Sequence, residues 1–171
     1  MKKIITLLAV VGMFSFQGCT TTDSNYVDTD TIAEAFELKG ANFYNDPIDS
    51  PDEGYFIYGK FTPNIYASDV VLIYRLSGTI NSSTAIWQLI PRTLFLTQGE
   101  LDYDYDFSKE DYTIYAGGTY NLALTPQYLN NQTFRIVIVP ANLVKAVDKK
   151  NYTSVMAALN LNESQIQKIN F

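Results

Sequence analysis

Between Gly99 and Ser108 the sequence reads ELDYDYDF, a stretch in which acidic and apolar residues alternate. Glu100, Asp102, Asp104 and Asp106 share one parity, and Leu101, Tyr103, Tyr105 and Phe107 share the other. In an extended strand this sorts the carboxylates to one face and the rings, with the leucine, to the opposite face. The chemistry a carboxylate row offers is the binding of a cation or a cationic ligand. Asp102, Asp104 and Asp106 match the first, third and fifth positions of a calcium loop. Phe107, however, stands where that loop needs a glycine for its sharp turn, and Thr113 where it ends on glutamate. The alternating tyrosines also demand an extended chain, not a curled loop. Two readings stay open: a flat surface for a ligand, and a solvated face. Carboxylates two residues apart lie about 6.6 Å from each other, where repulsion in water is about 0.6 kcal/mol per pair and tolerable if exposed. Lys60, Arg75 or Arg92 on a neighbouring strand could offset it.

A second acidic group, Asp46, Asp49 and Asp52 with Glu53, sits in the proline-containing segment NDPIDSPDE. Loose oxygen ligands of this kind can hold calcium, though turns recruit Asp for local hydrogen bonds as well. Histidine is absent and Cys19 is the only cysteine, which excludes Ser-His-Asp, Cys-His and histidine-ligated zinc chemistry. No Walker loop, G-x-G-x-x-G or G-x-S-x-G is present. Carboxylate-only catalysis, such as a glycosidase pair, needs acids facing each other across a cleft, whereas these acids run in rows. No catalytic residue, metal centre or cofactor is assigned, and a non-enzymatic protein is expected. The formal net charge is −6, and Lys2 and Lys3 lie at the extreme N-terminus. No basic patch is visible, which argues against nucleic acid as a partner.

Cys19 has a different use. Lys2 and Lys3 precede an uncharged apolar run, IITLLAVVGMFSF at residues 4–16. That run is too short to span a bilayer and suits the apolar core of an export signal. Gly18 and Cys19 at its end resemble a bacterial lipobox, in which the cysteine takes a diacylglyceryl thioether before the leader is removed. Phe16 and Gln17 depart from the usual Leu and small residue of that motif. The expected organisation is a signal peptide over residues 1–18, a polar tether over 19–32 and one domain over 33–171. Two or three acyl chains make a stable anchor at about 0.8 kcal/mol per buried methylene. The eleven polar residues from Thr20 to Asp30 reach at most roughly 35 to 40 Å. Asp30, Thr31 and Ile32 also resemble the Asp-Thr-aliphatic site of O-glycosylation in Bacteroidota-type bacteria, with Thr31 as the acceptor.

The elements that must position these residues are short. Apolar runs alternate with turn signals, which predicts an all-β domain: an antiparallel β-sandwich, immunoglobulin-like or jelly-roll-like, of about eight strands. The expected strands cover residues 34–43, 54–62, 69–76, 85–90, 93–96, 101–107, 112–115 and 134–139. Residues 69–76 (DVVLIYRL) and 134–139 (FRIVIV) are apolar at nearly every position, the mark of central strands covered on both faces. Pro91 and Pro140 cannot donate to a ladder and mark strand ends. After Pro140 the pattern turns helical. Val155, Ala158 and Leu159 share one helical face, and Asn162 with Gln165 reads as a cap before Ile166 and Ile169. One or two short helices are expected across an open end of the sandwich. Trp87, flanked by AIWQLI, reads as core, while Tyr112, Tyr115 and Tyr120 near Gly117 and Gly118 are the better candidates for exposed rings that stack on sugars.

SDVVLIYRL (68–76), WQLIP (87–91), FRIVIVPA (134–141) and VMAALNL (155–161) resemble blocks of a family of small β-rich lipoproteins of Bacteroidota-type bacteria. The likeness covers roughly residues 36 to 170. Some relatives carry a collagen-like Gly-X-Y segment after the lipobox, which this chain lacks. Others carry a dihydrolipoamide dehydrogenase label, which nothing here supports, because flavin-binding glycines and a redox cysteine pair are both missing. The resemblance implies an envelope lipoprotein and transfers no functional residues. The expectation is a chain exported and lipid-anchored to the outer membrane, on either its periplasmic or its outer face. Its partners would be the membrane, through Cys19, and an unidentified protein or glycan. The alternative is a carbohydrate-binding or carbohydrate-processing surface lipoprotein.

Overall fold

Phe134, Ile136 and Ile138 point to one side of their strand and Val137 and Val139 to the other, and all five are buried. A strand buried on both faces needs a layer above and a layer below, and the chain supplies both. The structure, a computed structural model, describes residues 33–45, 54–81, 83–140, 143 and 148–171. Cys19, Thr31, Asp46, Asp49 and Asp52 lie outside the described residues.

Ten strands are present among the described residues: β1 (Glu34–Ala41), β2 (Tyr44–Asn45), β3 (Tyr55–Lys60), β4 (Val70–Ile80), β5 (Thr84–Leu89), β6 (Arg92–Leu96), β7 (Gly99–Phe107), β8 (Asp111–Gly118), β9 (Gln132–Val139) and β10 (Gln167–Asn170). One sheet has the order β10-β1-β9-β4-β5, and the other β2-β3-β8-β7-β6. All pairings are antiparallel except β1 with β10. The fold is therefore the expected all-β sandwich. Its eight longer strands coincide with the eight expected from the sequence, and the two additional ones, β2 and β10, are short edge strands. Central placement of residues 69–76 and 134–139 also holds, since β9 lies between β1 and β4, and β4 between β9 and β5.

The inner core joins the two sheets. Leu38, Ile73, Phe134 and Ile136 from the first meet Ile57, Leu101, Tyr103 and Ile114 from the second. Such side chains contribute about 1.5–3 kcal/mol each when fully buried. A second cluster lies on the outer face of the first sheet, where Leu72, Tyr74, Val137 and Val139 are covered by Val155, Met156, Leu159 and Ile166. Val155 and Met156 belong to the single α-helix among the described residues, α1 (Tyr152–Ala158), capped by the Asn151 side chain, which accepts from the Ser154 amide at 3.1 Å. The helix thus covers a sheet face, not an open end, because β4 and β9 present apolar residues there that a helix must cover. The cap expected at Asn162 and Gln165 forms as a full capping box, but it closes only the 3-10 turn Glu163–Gln165. The chain then extends, and residues 167–170 add to β1 as β10, where a helix had been expected. Pro91 stands between β5 and β6, and Pro140 ends β9, as strand-breaking residues should.

Candidate functional site

Strand β7 lies inside its sheet, between β8 and β6. Its alternation resolves as the sequence predicts over most of the strand, with Leu101 and Tyr103 buried and Glu100, Asp104 and Asp106 exposed, while Asp102 is half-buried and Phe107, at the strand end, is 40% exposed. The tyrosines on the inner side are anchored by their hydroxyls. Tyr103 donates to the Tyr128 carbonyl at 2.7 Å, and Tyr105 to the Val71 carbonyl at 2.8 Å across the sandwich. On the acidic side Asp102 accepts from the Thr93 hydroxyl, Asp104 from the Tyr105 amide at 2.8 Å, and Asp106 from the Tyr115 hydroxyl at 3.0 Å. Hydroxyl and amide donors therefore serve this face.

The cationic partners proposed for the row do not take that part. Arg75 belongs to the opposite sheet, Arg92 is registered against Tyr103 on the inner parity, and Lys60 on β3 is registered against Asp111, two strands from β7. Among the described residues no ion pair reaches Asp102, Asp104 or Asp106. Nor, among those residues, do three His, Cys, Asp or Glu side chains gather where a metal ion could sit.

Register places Tyr44, Phe56, Tyr115 and Asp104 in one row across the outer face of the second sheet. Tyr44 and Phe56 meet edge to face, with centroids 5.6 Å apart and planes at 89°. That geometry breaks any coplanar platform at this end of the row. Tyr112 is not a displayed ring: it points inward, is 3% exposed, and packs against Phe36 and Phe61. Its parity along β8, shared with Ile114 and Ala116, sends it to the core. Tyr115 and Tyr120 are half-buried.

Two arginines that the apolar appearance of their strands conceals define the remaining polar sites. Arg135 of β9 is on the outer face of the first sheet, beneath α1. Its Nη1 donates to Glu163 Oε1 at 2.7 Å and to the Tyr152 hydroxyl, and its Nη2 to Glu37 Oε2. The guanidinium lies 4.2 Å from the Trp87 ring centroid and 5.3 Å from that of Tyr152. Burial works against its charge, and the hydrogen bonds to Glu163, Glu37 and Tyr152 outweigh it, so the pKa lies above the ordinary value. Arg135 ties sheet, helix and C-terminal turn together. Trp87 is consequently half-buried at this junction.

Arg75 of β4 points the other way, into the seam where the sandwich opens between the edge strands β5 and β6. It is only 8% exposed, and its Nε and Nη2 both donate to Gln132 Oε1, at 2.9 and 2.7 Å. The Gln132 amide is fixed in that orientation because its Nε2 donates to the Gln127 and Asn130 carbonyls at 2.9 and 2.7 Å. The guanidinium sits over the Tyr103 ring at 4.7 Å and near Tyr128 at 5.9 Å. Together with Ser77, Gln88, Arg92, Phe95 and Tyr128, Arg75 lines a cleft of about 400 Å³.

The geometry defines a three-layered all-β sandwich with polar sites at one outer face, beneath the helix and at one open seam. The chain matches no family model, no curated protein and no solved structure.

Proposed function

We propose that the chain is a non-enzymatic envelope lipoprotein of a Bacteroidota-type bacterium, anchored to the outer membrane through Cys19. Its β-sandwich then serves binding, assembly or envelope architecture. The observation that carries this reading is the order of residues at the N-terminus: two lysines, an uncharged apolar run, and Gly18 directly before the only cysteine. A tethered domain needs a fold that stands by itself, and the two sheets with their covering helix meet that need. The absence of histidine from the sequence supports a non-catalytic role. No helix among the described residues is long and apolar enough to cross a membrane. Thr31 remains the proposed glycan acceptor on the tether.

A specific observation also favours the second reading, a carbohydrate-binding surface lipoprotein: the cleft beside Arg75 joins charged, amide, hydroxyl and aromatic groups. The lipid anchor is tested by Cys19→Ala. Wild-type precursor should gain the mass of a lipid and partition with membranes, and the variant should do neither. A variant that keeps both the mass shift and full membrane partitioning ends the anchor proposal.

A further inference from the structure

The two buried arginines differ in one respect. Arg135 is neutralised by Glu37 and Glu163, whereas Arg75 has only neutral partners, the Gln132 side-chain oxygen and the Tyr103 phenol. Among the described residues no carboxylate lies within ion-pair distance of Arg75 or of Arg92. A guanidinium withdrawn from water without a counter-charge is unfavourable, and aromatic faces such as Tyr103 offset only part of that cost. Beyond Gln132 the Arg75 guanidinium meets only the neutral Tyr103 phenol among the described polar side chains, and the same cleft receives the exposed Arg92. An oxyanion entering there would meet one guanidinium already held in place by Gln132 and a second free to close on it.

We infer that this seam binds an anionic sugar, a uronate or a sulfated monosaccharide, through Arg75 and Arg92. The remaining walls suit the sugar part. Gln88 faces the cleft with a side-chain amide that makes no hydrogen bond among the described residues. The Ser77 hydroxyl donates to the Ile86 carbonyl at 3.1 Å and keeps its lone pairs for a ligand hydroxyl. Phe95, 79% exposed and registered against Glu100, borders the cleft from the outer side of β6, and Leu94 lines it on the parity of Arg92. The cleft volume of about 400 Å³ lies at the small-ligand end of binding sites. The chain as a whole carries a net charge of −6, so anions are not drawn to it generally. Recognition must then depend on these two side chains. The inference rests on the binding role proposed above and is independent of lipidation.

The test titrates the full chain with glucuronate, glucose 6-sulfate, glucose and inorganic sulfate, read by calorimetry and by amide chemical shifts. One or both acidic sugars should saturate, with shifts centred on β5, β6 and the Arg75 segment of β4, and the two arms separate carboxylate from sulfate recognition. Glucose and inorganic sulfate should each bind at least about tenfold more weakly, because each lacks one half of the contacts. Arg92→Gln alters an exposed side chain outside the core and should weaken binding about tenfold or more while leaving the melting temperature unchanged. Arg75→Met should abolish binding, and if that variant does not fold, Arg92→Gln alone decides. Absence of saturable binding by both acidic sugars, an unchanged affinity in Arg92→Gln, inorganic sulfate binding as tightly as the sugars, or shifts confined to the Tyr44 and Tyr58 face would each overturn the inference. Membrane partitioning of the Cys19→Ala chain reads the anchor proposal separately, so either can fail while the other stands.

Discussion

The Arg135 guanidinium lies 4.2 Å from the centroid of the Trp87 ring, and that contact links β9 to β5 across the outer face of one sheet, against which the only α-helix among the described residues packs. Tyr152, the first helical residue, closes the other side, with its ring 5.6 Å from Trp87. Arg135→Met would leave Glu37, itself buried, without its cation. Breaking a buried pair from one side costs about 3–5 kcal/mol, so urea unfolding should show a loss of that order together with an altered Trp87 emission. Glu163 is 68% exposed at its side chain, and Glu163→Gln should cost under about 1 kcal/mol. Equal losses for the two variants would contradict the difference in burial on which the ranking depends.

How far the sequence discloses this arrangement depends on what it encodes locally. Periodicity and proline positions place the eight longer strands, because each strand's pattern is set by the faces it buries. β2 and β10 escape, being two and four residues long and mostly polar or exposed; they are held by pairing with β3 and β1. The capping box at Asn162 and Gln165 is real, yet a cap announces only a first turn, and Ile166 then leaves for the sheet side. The polar sites were legible in one respect that periodicity obscures. DVVLIYRL and FRIVIV each carry one arginine inside a strand covered on both faces, and such a residue must be buried and must find a partner. Which partner it finds, the acids Glu37 and Glu163 or the neutral Gln132, is fixed by pairings up to 98 residues apart. No local pattern carries that.

Gly59 on β3 is registered directly against Tyr112 on β8. A Cβ placed on Gly59 would lie 2.2 Å from the Tyr112 hydroxyl oxygen and 2.3 Å from the adjoining ring carbon. The ring cannot swing away freely, since Phe61 packs against it with centroids 5.2 Å apart. Gly59→Ala should therefore destabilise the domain by about 1–3 kcal/mol, the usual cost of overpacking. Adding Tyr112→Leu removes the obstructing ring, and the double variant should lose less than the two single losses added together. Thermal melts of the four proteins measure the coupling, and strict additivity would show that the close approach is not what glycine serves.

Burial raises the Tyr103 and Tyr112 phenols to about 12 each. Their ordinary value is 10.0. Below that value both folded and unfolded chains keep the protons, and these groups leave stability independent of pH. Between about 10 and about 12 the unfolded chain releases protons that the folded chain retains, so stability falls as pH rises, by on the order of 1.4 kcal/mol per pH unit for each phenol. Melting temperature should thus decline steeply across that window. Tyr112→Phe, which removes one titrating group, should lessen the slope, and an unchanged slope would mean that other groups govern the alkaline loss.

The acidic face offers the last test, because its hydrogen bonds distinguish a solvated row from a ligand site. Asp102 and Asp106 each accept from one neutral hydroxyl, and Asp104 accepts from the amide of the next residue. Asp104 and Asp106 are exposed and Asp102 half-buried, and carboxylates served in this way are stabilised little by the fold and repel one another weakly across water. Asp102→Asn with Asp104→Asn should then change unfolding free energy by under about 1 kcal/mol, losing the Thr93 contact while relieving repulsion. Calcium should not raise the melting temperature of the wild-type chain, since an ion that binds only the folded state would raise it in proportion to the logarithm of its concentration above Kd. A calcium-dependent rise that the double variant abolishes would turn this face into a cation site, with Asp102 and Asp104 among its ligands.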